Sequence, residues 1–203
     1  MNSEKLKKHM RCLFTYGGMY LVCNSNLLYH ASVPLNEDGS FKHVRIGKKE
    51  YWGHKLLQKT DQLIRTAYFD EDGSKEKNFA LDYMWYMWCG PDAPSFDKDK
   101  MATFERYFIA DKALHKESKG YYYTLRNRAD ICDNILAEFG VEPGPHSHII
   151  NGHVPVKIIK GERPIKADGK LLVIDGGFSK AYQPETGIAG YTLVYHSHGM
   201  QLV

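Results

Sequence analysis

Behind Ser3, apolar residues recur at helical spacing: Leu6, Met10, Leu13 and Phe14. With Ser3 as N-cap and Gly17-Gly18 as a stop, they predict a helix over residues 3–15, packed through one side on a sheet. The period then changes. Residues 19–23 and 27–33 are apolar runs around Asn24-Ser-Asn26, which predicts a β-hairpin with a three-residue turn. Its second arm runs out at His30, and the small residues Ala31 and Ser32 leave room beside that imidazole. Asn36-Glu-Asp-Gly-Ser40 is a turn. Residues 48–68 read as a helix, with Tyr51, Leu56, Leu57, Ile64, Ala67 and Tyr68 on its apolar face. Asp70-Glu-Asp-Gly-Ser74 reads as a solvated loop, because its glycine position and missing closing glutamate do not fit an EF-hand.

The run from Asn78 to Trp88 is the most aromatic of the chain. As a helix it is apolar on nearly all sides, which predicts a place between two layers. Residues 98–108 read as a basic loop leading into a helix, and Tyr121-Tyr-Tyr-Thr-Leu125 as a short extended piece. Over residues 128–139, Ile131, Ile135, Leu136 and Phe139 share one helical face, with Asn127 as cap and Gly140 as terminator. A turn through Pro143-Gly-Pro145 follows. Then come His148-Ile-Ile-Asn-Gly-His153-Val-Pro155, a buried strand running into a tight loop, and Lys170-Leu-Leu-Val-Ile-Asp175-Gly-Gly, a buried strand ending in an acid and two glycines. Residues 190–203 form a closing hairpin around His196-Ser-His198-Gly. Helix, turn and strand in this order indicate an α/β fold.

The chemistry resides in histidine. Imidazole at the end of a buried strand is held rigidly and can ligate a divalent ion, or it can simply be a satisfied loop residue. His30 and His153 occupy such positions, whereas His146, His148, His196 and His198 fall in loops and turns that face solvent. The 203 residues suit one domain with a sizeable insertion, and the net charge of +3 fits an anionic small substrate without implying nucleic acid. The four cysteines form no CxxC pair, which argues for reduced, packed thiols in a cytoplasmic protein and against a cysteine-ligated zinc site. No apolar run is long enough to span a membrane, and the first residues lack the apolar segment of a signal peptide.

Several long stretches carry a resemblance. Asn151-Gly-His-Val-Pro-Val-Lys157, Lys170-Leu-Leu-Val-Ile-Asp-Gly-Gly-Phe-Ser-Lys-Ala-Tyr182 and Thr186-Gly-Ile-Ala-Gly-Tyr-Thr-Leu193 resemble the bacterial class III fructose-1,6-bisphosphatases. So do Asn26-Leu-Leu-Tyr-His30, Asn36-Glu-Asp-Gly-Ser-Phe41 and residues 98–112. That family is similar to the calcineurin-like metallophosphoesterases, which implies a β-sandwich flanked by helices with a two-metal site at the strand ends. The resemblance places His30 and His153 among the metal ligands, one ligand each, on different ions of the pair. The Asp-x-His, Gly-Asp-x-x-Asp and Gly-Asn-His-Glu motifs of such sites do not occur here. The chain is therefore expected to be the C-terminal portion of such an enzyme, with residues 48–125 a mainly helical insertion, no catalytic residue of its own, and little activity in isolation.

The implied cofactor is a divalent ion, most simply Mn²⁺, at a mixed nitrogen and oxygen site. The implied reaction is hydrolysis of the 1-phosphate of fructose 1,6-bisphosphate, a step of gluconeogenesis. Lys100, Arg106, Lys157, Arg163 and Lys180 are candidates for the substrate's phosphates, each equally readable as a solvated surface cation. Asp175 either orients a ligand histidine or caps a turn. The expected partners are the phosphorylated sugar, the missing N-terminal half and further copies of the chain. A dinucleoside polyphosphatase, a protein phosphatase relative and a non-catalytic assembly module are the alternatives.

Overall fold

The computed structural model describes residues 3–177, 179–180, 183–187 and 190–203. Its order begins with helix α1 (Glu4–Tyr16) and strands β1 (Tyr20–Cys23), β2 (Asn26–Tyr29), β3 (Val44–Ile46) and β4 (Lys49–Tyr51). Helices α2 (Gly53–Phe69), α3 (Lys75–Cys89), α4 (Thr103–Phe108), α5 (Tyr122–Leu125) and α6 (Ala129–Glu138) follow. Strands β5 (His148–Asn151), β6 (Ile165–Lys166) and β7 (Leu171–Val173), helix α7 (Gln183–Thr186) and strands β8 (Leu193–His196) and β9 (Gly199–Leu202) complete the chain. The α/β class holds. The main sheet has five strands in the order β1-β2-β5-β7-β6, and β3-β4 and β8-β9 are separate two-stranded ribbons.

Strand β2 pairs in parallel with β5, and β5 with β7, so Leu27, Ile149 and Leu171 stand in one row across the sheet. All three are essentially inaccessible to water and pack with Val173, Ile135, Leu136 and Tyr122 under α5 and α6. Each such side chain contributes roughly 1.5–3 kcal/mol of burial free energy. A second core forms where α2 lies on α3 and the β3-β4 ribbon: Leu56, Leu63, Ala80, Tyr83, Met87 and Val44. Within it Thr60 Oγ1 and Tyr83 OH share a buried 2.8 Å hydrogen bond.

Several local expectations change. The first hairpin closes on two residues, Asn24 (φ 50°) and Ser25 (φ 61°), because two left-handed residues match the strand twist and let Asn26 pair with Cys23. The helix expected over 48–68 starts only at Gly53, since residues 49–51 pair with β3. The helix expected over Asn78–Trp88 begins earlier, at Lys75, where Ser74 caps α3 by accepting Lys77 N–H at 3.1 Å. That helix is not enclosed: it buries Ala80, Tyr83 and Met87 against α2, while Trp85 is 59% exposed. A helix with one packed neighbour buries one stripe, and the outer aromatics stack on each other instead, Trp85 on Trp88 and Trp88 on Phe104.

The segment expected to be extended at 121–125 is the short helix α5. Tyr122 and Tyr123 turn into the core from consecutive positions, which a strand would not allow. Asn127 does not cap α6, because its side chain donates back to Thr124 O at 3.2 Å. Arg128 occupies the cap position, and Gly140 at φ 74° ends the helix as expected. The strand expected from Lys170 onward pairs over three residues only, Leu171–Val173. The closing hairpin is present as β8-β9, with His196 and His198 exposed.

Candidate functional site

The three parallel strands run the same way, so their C-terminal ends meet at one edge of the sheet. Ligands of open α/β sheets bind outside such ends. Here β2 delivers His30, β5 delivers His153 through Gly152, and β7 delivers Asp175 through Ile174. The loops are tied together: Gly152 N–H donates to His30 O at 2.9 Å, and Val156 N–H to Asp175 O at 2.8 Å. His153 sits at φ 66°, and Val154 N–H bonds back to Gly152 O at 2.8 Å. This is a tight γ-turn centred on a residue with a side chain, a strained conformation that surrounding structure must hold.

That strained turn aims His153 at its partner. His30 Nε2 and His153 Nδ1 lie 3.1 Å apart, with the rings at 70° and their centroids 5.0 Å apart. Lost hydration lowers the affinity of His30 for a proton, partly offset by the Asp175 charge. His153 is pushed down to about 4, by lost hydration first, then by His30 and by the Lys98 and Lys119 charges. Both imidazoles are neutral near pH 7, the form that can ligate a metal. The Asp175 carboxylate accepts Gly177 N–H at 2.9 Å in its own turn.

A buried polar network holds the strand end from below. Asn151 Nδ2 donates to Ala31 O at 3.0 Å and to Tyr122 OH at 2.5 Å, and Tyr122 OH and Tyr29 OH are 2.8 Å apart. Complete burial holds both phenols protonated, with their affinity for the proton raised. Above the pair, a cleft of about 1100 Å³ opens along the other sheet face, lined by Tyr20, Leu28, His30, Ile150, His153 and Asp175 among others.

The five candidate phosphate ligands scatter. Lys100 donates to Leu114 O at 3.0 Å, and Arg106 to His115 O at 3.3 Å, while Arg163 and Lys180 are exposed. Lys157 alone follows a site histidine within one loop. Sequence reasoning passed over Lys98, Lys119 and Arg126, yet the first two stand close enough to press on His153. Their one visible sign was basic character in segments of little pattern. Among the described residues, no group of three or more His, Cys, Asp or Glu side chains is arranged to hold a metal ion. The donor set on this chain is two neutral imidazoles, which fit part of a metal site.

The model of the Firmicute fructose-1,6-bisphosphatase family matches residues 1–203. The chain belongs to that family. The class 3 fructose-1,6-bisphosphatase of Bacteroides fragilis is 85% identical over the whole chain, and that of Bacteroides thetaiotaomicron 83%. The class 3 fructose-1,6-bisphosphatase of Clostridium novyi is 59% identical over 202 residues. In each case the chain spans 30% of the relative's length. No solved structure matches. Among the described residues, no helix is long and apolar enough to cross a membrane.

Proposed function

We propose that the chain is the C-terminal portion of a metal-dependent fructose-1,6-bisphosphatase that hydrolyses the 1-phosphate of fructose 1,6-bisphosphate in gluconeogenesis. The carrying observation is the neutral imidazole pair, 3.1 Å apart at the ends of two parallel strands. Expected on different ions, the two nitrogens instead stand at a hydrogen-bond distance that also suits a single ion, since two nitrogens bound at ~2.1 Å and a right angle lie about 3 Å apart. Divalent ions in such phosphatases bind the phosphate and lower the pKa of the attacking water. His30 and His153 would hold the metal, with Mn²⁺ suited to nitrogen ligands mixed with oxygen ligands from the rest of the enzyme. Asp175 supports the pair electrostatically, since its charge favours the protonated form of each imidazole and so strengthens each as a donor. Lys100, Arg106, Arg163 and Lys180 do not line the cleft, so they serve the substrate only if their segments move toward it.

The calcineurin-like sandwich belongs to the same reading. Leu21 is 57% exposed on the sheet face that the cleft opens along, and a second sheet would cover that apolar face. Residues 48–125 are read as the helical insertion: they supply most of the second core, joined by Val44 and Ile46 of β3, while Tyr122 and Tyr123 at their end pack in the first core. The rest of the enzyme, well over half of a relative's length, is the natural covering partner in place of the N-terminal half expected from the sequence, and further copies of the chain would cover the face in its absence. A cytoplasmic location fits a sugar phosphate substrate.

The test is calorimetric titration of Mn²⁺ into the chain and a His153→Ala variant, with fructose 1,6-bisphosphate hydrolysis assayed in the same samples. Weak binding that disappears with His153, without turnover, is expected. Equal Mn²⁺ binding by both proteins refutes the ligand assignment, and turnover by the chain alone refutes the partial site.

A further inference from the structure

Arg126 is only 4% exposed, yet its Nε and Nη1 meet no hydrogen-bond acceptor. A guanidinium cannot shed its charge, and buried charges are normally paired. Two tyrosines of α5 hold it in place: its Cζ lies 5.1 Å from the Tyr123 ring centroid and 6.0 Å from that of Tyr122. The Lys119 ammonium lies 5.3 Å from the same Tyr123 centroid. Lys119 in turn pairs with Lys98 in an isolated antiparallel bridge, which places their side chains as cross-strand neighbours. The charge of Lys157, from the loop that follows His153, also reaches Lys119.

Four cations thus converge from three segments of chain. Three carboxylates lie nearby, and none forms an ion pair with Arg126, Lys119 or Lys157: Asp97 is buried with its pKa raised to about 7, and the Glu162 charge reaches Lys119 and Arg126 only at a distance. Glu117 accepts from Lys98 at 2.7 Å, and Glu162 from Lys166 at 2.7 Å and from Lys157 N–H at 2.9 Å. Among the described residues, no carboxylate pairs with the side chains of Lys119, Lys157 or Arg126. Folding four cations together with so few paired carboxylates is costly, and a bound anion relieves it.

We propose that Arg126, Lys119 and Lys157 form a binding site for a phosphate monoester beside the histidine pair. Arg126 supplies a rigid planar donor that tyrosine packing holds in place, and the two lysines supply mobile point charges. Lys98, committed to Glu117, sets the approach without being free to close on the ligand. The site rests on the fructose-bisphosphatase reading in one respect: the group it holds is the substrate's second phosphate, the one that is not hydrolysed.

The test is calorimetric titration of inorganic phosphate into the metal-free chain, its Lys119→Gln and Lys157→Gln variants and an exposed control, Lys112→Gln. Far-UV circular dichroism checks that the fold is kept. Arg126→Lys keeps the charge and removes the fork. Weakening of about tenfold in each of the three site variants, with the control unchanged, is expected. Absence of phosphate binding, or affinities equal to the control in Lys119→Gln and Lys157→Gln, overturns the site. Fructose 6-phosphate and fructose 1,6-bisphosphate are titrated in parallel. If both bind no more tightly than phosphate while the variants still weaken phosphate, the anion site stands and its assignment to this substrate falls. If fructose 1,6-bisphosphate binds tightly and is indifferent to the variants, the substrate reading stands and the site falls.

Discussion

Asp97 carries a charge that the fold resists. It is 2% exposed, its Oδ2 has no hydrogen-bond partner, and its backbone sits at φ 46°. Burial, with a smaller push from Asp92, raises its pKa from the ordinary 3.8 to about 7, against a pull from Lys42. Lys42 is partly spent, because it bonds Asp92 at 2.7 Å. The folded state therefore binds a proton that the unfolded chain has already lost. Stability is full below about pH 4 and falls as pH rises through about 7. At ~1.4 kcal/mol per pH unit, the loss at pH 8 is at most about 4 kcal/mol.

Asp97→Asn removes the charge while keeping shape and tolerance of the left-handed conformation. It also respects Gly120, where an added Cβ would lie 2.2 Å from the Asp97 carboxylate. Urea denaturation of both proteins at pH 4.5, 6 and 7.5 provides the assay. Other titrating groups cancel in the difference between them. An advantage for the variant of about 1 kcal/mol at pH 4.5, growing to about 4 kcal/mol at most by pH 7.5, is expected. A difference independent of pH, or a variant less stable at pH 7.5, refutes the reasoning.

His153→Gly relieves the φ of 66° and should raise thermal stability by up to ~1 kcal/mol while abolishing Mn²⁺ binding; a destabilised variant would show that the ring packs rather than ligates. Tyr122→Phe leaves Tyr29 OH without its 2.8 Å partner and Asn151 Nδ2 without one of its acceptors, and should cost about 1–3 kcal/mol in urea denaturation, so a neutral result argues against a stabilising role for this network. Arg65 donates to Phe14 O at 2.5 Å and Gly17 O at 2.6 Å, closing the end of α1 onto α2. Arg65→Ala should speed amide hydrogen exchange throughout α1 and leave β5 protected, whereas uniform change would mean that α1 is not a separate opening unit.

Local pattern determined much of this protein. Ser3 and Gly17 bracket α1, the periodicity of Ile131, Ile135 and Leu136 defines α6, and the apolar runs at 149–150 and 171–173 become central strands. The α/β class, and both histidines at strand ends, were legible from the same pattern. Nearest-neighbour chemistry sufficed there, because caps, turns and buried runs act over a few residues.

Tertiary structure decided the rest. The exposure of Trp85 depends on how many layers pack against α3, and the fate of residues 49–51 on a ribbon partner. Composition alone reports neither. That His30 and His153 meet at 3.1 Å follows from the parallel pairing of β2 with β5 across more than a hundred intervening residues. Arg126 is unremarkable as a letter in a helix-to-helix link. Its burial against two tyrosines, and the reach of the Lys98 and Lys157 charges to the neighbouring Lys119, exist only once the chain has folded, because burial and charge proximity are properties of space and not of order along the chain.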